Sequence, residues 1–398
     1  MLFWGKKHDD AQYGALIDIS SGSIGIAILL SDPQKPLPRI VYTERIPFRQ
    51  TAHYTMSDIL DTRRVREALL SASLMLSSDG LNALRHIDEH AEISKIFITC
   101  SSPWALTIAR SAQYNNDTDF KINKSIITDL VNSVERDILE HVAVTHDEHK
   151  TYQIVERATV DTTINGYAVS SPFGLTGKTL SLSHVVGIIP QELLDAAEEA
   201  HEKIFPKAIM NAHTTMLVTY CILRDIFPNV HTACIIDITG EATEFGFVER
   251  NLLIDNSYVP WGINTTLRAV SRARGNPISD LERQFSEYTS TTCSDETPLG
   301  SAVAEYRKNI VDALEAMQEQ HVLPKNFILI TPPHFYNACQ TIISDTLSEM
   351  NFSNFTIHTV TEETMRAVMP GTTPDPYLAL GARFFHKLHG CTDINDPE

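Results

Sequence analysis

Two stretches, Ala15–Leu30 (ALIDISSGSIGIAILL) and Ala233–Val248 (ACIIDITGEATEFGFV), share one plan. In each, an apolar run ends in Asp, a turn of small residues follows, and a second apolar run leaves it, the pattern of a β-hairpin with a polar tip. Such a tip offers backbone N–H groups and small hydroxyls to phosphate, and its Asp can hold a hydrated Mg²⁺. One such segment is common. Two, at similar depth in the two halves of a chain, are what a two-lobed nucleotide clamp requires.

At 398 residues the chain is long enough for two or more domains with separate cores. The net charge of −18 argues against nucleic acid as a partner, since phosphate binding needs a positive surface, and it favours basic partner segments. No apolar run approaches the ~18–20 residues of a membrane span. The N-terminus, MLFWGKKHDD, is too short and wrongly ordered for a signal peptide, so a cytoplasmic location is expected. Met1–Trp4 with Lys6 and Lys7 reads as a frayed terminus before it reads as a membrane contact. The cysteines Cys100, Cys221, Cys234, Cys293, Cys339 and Cys391 form no CxxC pair and several lie in apolar runs, which predicts reduced core thiols. His141, His146 and His149 form the densest histidine group; a solvated loop accounts for them better than a metal site.

Along the chain, strands are expected around the Asp18 turn, at Arg39–Ile46 and at Lys95–Cys100. A helical pattern covers Arg63–His90 and is bent or broken at Gly80. The texture changes near Pro103. Trp104–Ala112 reads as a strand, Lys124–His141 as an amphipathic helix, and Thr151–Thr163 and Thr179–Val186 as strands joined by the turn-rich NGYAVSSPFGLTGK. The second hairpin opens at His231. A polar loop, STTCSDETPLG, interrupts the helices that follow, and strand–helix–strand–helix segments close the chain at Asn326–Thr331, Phe335–Met350, Phe355–Thr359 and Pro376–Leu388.

Several of these segments resemble, in order and spacing, the actin-like superfamily, and its FtsA and PilM branch in particular. Ser171–Gly177 (SPFGLTG) resembles the NPxGLxG segment between the last two strands of FtsA-type inserts. Ile235–Glu244 resembles the second phosphate motif, DxGGxxTD; Val259–Asn264 (VPWGIN) resembles the turn that follows it; and Pro376–Arg383 (PYLALGAR) resembles the closing helix with its internal glycine. The resemblance implies an α/β fold of duplicated actin-like, ribonuclease H-like lobes with an FtsA-type strand–helix–strand–strand inserted domain. It implies a flexible terminus at 1–12, lobe I at 13–102 and 185–230, the inserted domain at 103–184, lobe II at 231–375, and a closing helix with an acidic tail at 376–398. It also implies ATP and Mg as cofactors. Nucleotide would be held by Asp18, Ser20, Ser21, Gly22 and Ser23 from the first turn and by Asp237, Thr239, Gly240 and Thr243 from the second. Thr331, Pro332 and Pro333 would lie near the base, and Asp18 and Asp237 would face the metal through water. For the two Asp residues, organisation of a tight turn is the plainer alternative.

The departures from the family point to a degenerate clamp. Ser20 and Gly25 stand where a glycine and a lysine are usual, and Thr239 replaces the first glycine of the second turn. Pro332 and Pro333 replace a glycine pair, removing two N–H donors and fixing φ near −65°. Weak or absent ATPase activity is the expectation. The tail HGCTDINDPE cannot form the amphipathic membrane helix of FtsA. The resemblance therefore leans to PilM, a scaffold at the cytoplasmic face of the inner membrane that binds the N-terminal peptide of a bitopic membrane protein. Self-association, an FtsA-like division filament, and a phosphotransferase such as a sugar kinase remain alternatives. The last would need a spare carboxylate, and strand alternation puts Glu244 on a solvent face.

Overall fold

In a computed structural model of the chain, residues 11–51, 53–55, 61–145, 150–291, 293–368 and 375–389 are described, the side chains of 143–145 and 367–368 excepted. His146, His149, Cys391 and the acidic tail after His389 lie outside them.

Two five-stranded mixed sheets repeat one topology. The first has the order β3-β2-β1-β4-β9, from β1 (Gln12–Ile19), β2 (Ser23–Ser31), β3 (Arg39–Pro47), β4 (Ile93–Cys100) and β9 (Ile209–Thr214). The second has the order β12-β11-β10-β13-β14, from β10 (Ala233–Ile238), β11 (Thr243–Glu249), β12 (Leu252–Val259), β13 (Asn326–Ile330) and β14 (Thr356–Thr359). In both, the Asp-tipped hairpin is the central antiparallel pair, and two parallel strands extend the sheet on the side of its first strand.

The continuous apolar runs of β1 and β10 are explained by burial on both faces. Ala15, Ile17 and Ile19 enter the core of the first lobe, whereas Leu16 enters a core shared by both sheets. Cys234, Ile236 and Ile238 enter the core of the second lobe, and Ala233 and Ile235 the shared one. Successive side chains point to opposite faces, so a one-residue slip would exchange whole cores.

The outer core of the first lobe is closed by α1 (Thr62–Met75), a π turn at Leu76–Gly80, α2 (Leu81–Arg85) and α4 (Gln191–Ile204). Gly80, where a bend or break is expected, is the last residue of the π turn, and a Cβ there would lie 2.9 Å from Ile28 Cδ1. The shared core takes α5 (Thr215–Ile226) and the closing helix α11 (Pro376–His389). Gly381 lets α11 lie against Leu16, where a Cβ would come within 2.8 Å. The second lobe packs α6 (Ile263–Arg274), α7 (Ile278–Ser286), α8 (Pro298–Gln318) and α9 (Tyr336–Glu349), and α10 (Glu362–Val368) precedes the closing helix.

A third, antiparallel sheet has the order β5-β8-β6-β7, from β5 (Leu106–Lys121), β6 (Tyr152–Ile164), β7 (Tyr167–Ala168) and β8 (Thr176–Pro190), with α3 (Lys124–Thr145) packed on it. β5 runs nine residues beyond the expected Ala112, polar sequence and all, with β8 pairing Gln113–Asn115 and Phe120–Lys121 on either side of a register shift. A register shift at Ile154/Glu156 turns Glu156 toward the first lobe. There its buried carboxylate accepts bonds from Thr214 N (2.8 Å), Thr214 Oγ1 (2.6 Å) and His213 Nδ1 (2.7 Å). Gly187 leaves the room, since a Cβ there would lie 2.3 Å from Glu156 Oε1.

Candidate functional site: the cleft between the hairpin tips

A cleft of about 630 Å³ opens between the two lobes, in the size range of small-molecule sites. Of the residues expected at phosphate and base, Ser20, Gly22, Ser23, Gly240, Pro332 and Pro333 line it. Asp18, Ser21, Asp237, Thr239, Thr243 and Thr331 are buried behind that lining. Pro333 opens a short 3₁₀ turn, Pro333–Phe335, and Phe335 joins the two prolines on the cleft wall.

The tips of the hairpins touch. Ser21 Oγ lies 2.6 Å from Thr239 Oγ1 and accepts a 2.8 Å bond from the Glu241 N–H. A Cβ on Gly240 would come within 2.7 Å of Gly22 Cα, so glycine at both positions is what lets the two backbones meet. The Thr239 hydroxyl donates to Ala242 O at 3.0 Å. The Thr243 hydroxyl is turned into the second lobe, donating to Trp261 O at 2.9 Å and contacting the Tyr306 hydroxyl.

Each Asp has a partner from its own protein. Asp18 Oδ1 accepts from Thr99 Oγ1 at 2.9 Å, and its Oδ2 from Arg45 Nη2 at 2.8 Å. Arg45 uses its remaining donors on Ser23 Oγ (2.8 Å) and Asp375 (2.5 Å through Nε). It reaches Asp18 because it stands opposite Gly25 on the neighbouring strand, where a Cβ would lie 2.6 Å from its Nη2. The cation that relatives are expected to carry at Gly25 is thus supplied from β3. Sequence reasoning missed Arg45; a glycine in place of a lysine was the signal that a cation enters from elsewhere.

Asp237 Oδ1 accepts from Tyr377 OH at 2.8 Å, and its Oδ2 is buried with no hydrogen-bond partner among the described residues. Burial first, then the neighbouring Glu244, drives the Asp237 carboxyl well above its ordinary range. Asp18 is also raised, by burial, with Arg45 opposing. These donors do not fit a hydrated Mg²⁺ bridging two free carboxylates. One carboxylate is already paired with a guanidinium, burial and the neighbouring Glu244 raise the other, and the two tips touch.

The expectation of a solvent face for Glu244 is overturned. Glu244 is buried, accepting from Asn256 Nδ2 at 3.1 Å and from Ser102, and burial raises it to about 7. The reason is tertiary: Tyr258 of β12 packs into the core of the third sheet, so that face is covered. Glu241, the other carboxylate at the turn, is fully buried in an ion pair with Arg268, whose Nη1 donates to it at 2.7 Å and to Gln50 of the first lobe at 2.9 Å. The cleft lining itself carries Arg45 and His334 against Glu44, Glu282 and Asp375. Among the described residues no cluster of His, Cys, Asp and Glu suits a metal ion, and no helix is long and apolar enough to cross a membrane.

No protein-family model matches the chain, and no curated protein sequence does. Among solved structures it is similar to a chain of the PilM–PilN type IV pilus biogenesis complex, with a TM-score of 0.58 and 11% identity, covering 94% of this chain and 98% of that one. Looser likenesses include a Bacteroides thetaiotaomicron protein of actin-like ATPase fold and unknown function (TM-score 0.43, 8% identity, 87% and 90% covered). Another is the ethanolamine utilization protein EutJ from Carboxydothermus hydrogenoformans (0.44, 8%, 97% and 93%). With two lobes of one topology, a hairpin at the centre of each and a near full-length structural match, the chain is an α/β protein of the actin-like ATPase fold.

Proposed function

We infer that the chain is a cytoplasmic scaffold of PilM type, at the inner face of a membrane within a type IV pilus or type II secretion assembly platform. On this reading it binds a cytoplasmic N-terminal peptide of a bitopic membrane protein, and the third sheet with α3 is its FtsA-type inserted domain. The observation that carries the reading is the clamp closed on itself: Ser21, Thr239 and Glu241 join the two tips, and Arg45 engages Asp18. Donors spent on the protein are not available to a triphosphate. What remains of the fold is a rigid two-lobed frame, and its likeness to a chain from a pilus complex suggests the class of partner. The charge of −18 favours a basic segment, attracted faster at low salt.

A phosphotransferase would need a carboxylate facing the cleft as general base. Glu241 and Glu244, the carboxylates of the second turn, are both buried and bonded elsewhere; of the carboxylates that line the cleft, Asp375 is paired with Arg45, and Glu44 and Glu282 are the groups whose replacement by Gln would test that alternative. No observation favours a division filament.

The test is thermal unfolding of the purified protein with ATP or ADP, each with and without Mg²⁺, alongside phosphate release. A ligand at a hundred times its Kd would add about 2.7 kcal/mol of stability. No shift of the midpoint and no turnover are expected. Mg²⁺-dependent stabilisation with steady hydrolysis would overturn the reading.

A further inference from the structure

The geometry points to a lipid-binding tip at the far end of the third sheet, where Tyr167, Phe173 and Leu175 project beside Lys121, Lys124 and Lys178 toward an anionic bilayer surface. None of these residues lines the cleft between the hairpin tips. Tyr167 is 78% exposed, Phe173 58% and Leu175 44%. Large apolar side chains so exposed, and so close together, mark contact surfaces in proteins that otherwise bury such groups.

Four chain segments converge at this end, and their backbones are tied to one another. Ile122 N donates to Leu175 O, and Gly174 N to Ile122 O, both at 2.9 Å. Lys121 pairs in register with Thr176. Asn165 Oδ1 accepts from the N–H groups of Lys178 (2.9 Å) and Thr179 (3.0 Å). Asn165 and Gly166, at φ 51° and 83°, form the tight turn that presents Tyr167, and Gly174 at φ 79° turns the chain between Phe173 and Leu175. Asn123 caps α3 by accepting from Ile126 N at 3.0 Å, which places Lys124 at the same end. Beneath, Ile122, Ile164 and Leu180 form a small core of their own. The exposed side chains therefore stand on a frame that is already satisfied, and little ordering cost attends their use.

Charge selects the occupant. The chain carries −18 overall and has thirteen lysines, of which three gather here, all exposed. Asp117, Asp119 and Asp129 lie nearby in sequence, so the tip is no polycation, and attraction must act together with the aromatic side chains. Aromatic and aliphatic groups flanked by lysines match the headgroup–acyl boundary, where apolar surface is buried while ammonium groups meet lipid phosphate. A second copy of so acidic a chain is the poorer match.

The test is co-sedimentation of the full chain with vesicles of phosphatidylcholine alone and of phosphatidylcholine mixed with phosphatidylglycerol. Binding to the mixed vesicles, weakened by salt, is expected. Phe173→Ser with Leu175→Ser should lower it about tenfold or more, and each of Lys121→Glu, Lys124→Glu and Lys178→Glu on the order of fivefold or more. Tyr167→Ser provides an independent variant, and unchanged melting midpoints show that the variants fold. Equal binding to both vesicle types, or unaltered binding by all tip variants, would overturn the proposal. So would a loss that follows Phe3→Ser and Trp4→Ser at the N-terminus alone, or tip variants that change only self-association.

Discussion

A carboxylate cut off from water needs either a counter-ion or a proton. Asp18 takes the guanidinium of Arg45. Replacing Arg45 by Gln should destabilise the fold by about 2–3 kcal/mol in urea unfolding, toward the low end for a broken buried pair. The discount reflects the 24% of Arg45 that stays in water. The loss should shrink at acid pH, where Asp18 takes up its proton; a loss independent of pH would show that packing, not charge, was removed. Glu244 illustrates the protonated solution. Burial moves it from 4.5 to about 7, so the folded state holds a proton that the unfolded chain has released between those values. Stability must therefore fall as pH rises through that window and level off above it. Glu244→Gln should flatten the fall and exceed the native protein at pH 8 by on the order of 2–3 kcal/mol. Parallel pH curves would refute this. The sequence made Asp18 and Asp237 visible, since each ends an apolar run. It hid what holds them: Arg45 and Tyr377 come from other strands and helices, and no local pattern announces a partner 140 residues away.

The hairpins were legible as elements because their apolar runs and small turns are local, and so was the closing helix, whose glycine meets Leu16. Lengths set by partners were not. β5 continues to Lys121 with β8 pairing both ends of the extension, the π turn at Leu76–Gly80 joins what read as one bent helix, and α10 lies in a segment too short and polar for periodicity to register. Pro332 and Pro333, expected to change the loop path, lead into the 3₁₀ turn Pro333–Phe335. What periodicity could not convey is that one hairpin tip rests on the other. Gly240→Ala tests that contact: besides the Asn264 side chain at 2.5 Å, Gly22 Cα at 2.7 Å puts backbone in the way. A cost of about 1–3 kcal/mol is expected, typical of overpacking, together with faster proteolysis between the lobes. Native-like resistance with an unchanged melting point would mean that the tips separate freely.

Across the whole molecule, the lobes are joined by polar groups as well as by the shared core. Arg268 binds Glu241 of its own lobe and Gln50 of the other, and Arg272 donates to Tyr54 O at 2.6 Å. Arg268→Ala should cost about 3–5 kcal/mol by stranding Glu241, whereas Arg268→Met with Glu241→Met should be close to neutral; equal losses in the two proteins would contradict this account. The closing helix has a further consequence, in time rather than in energy. α11 packs beneath β1, β2 and β4, and Phe385 covers Gly14, so the last described helix completes the core of the first strands. At ~5–20 residues per second, ribosomes need roughly 20–80 s to make 398 residues. For most of that interval the inner face of the first sheet has left the tunnel without its cover. The first lobe is thus made well before the helix that covers it, and its inner face waits for α11 to leave the ribosome.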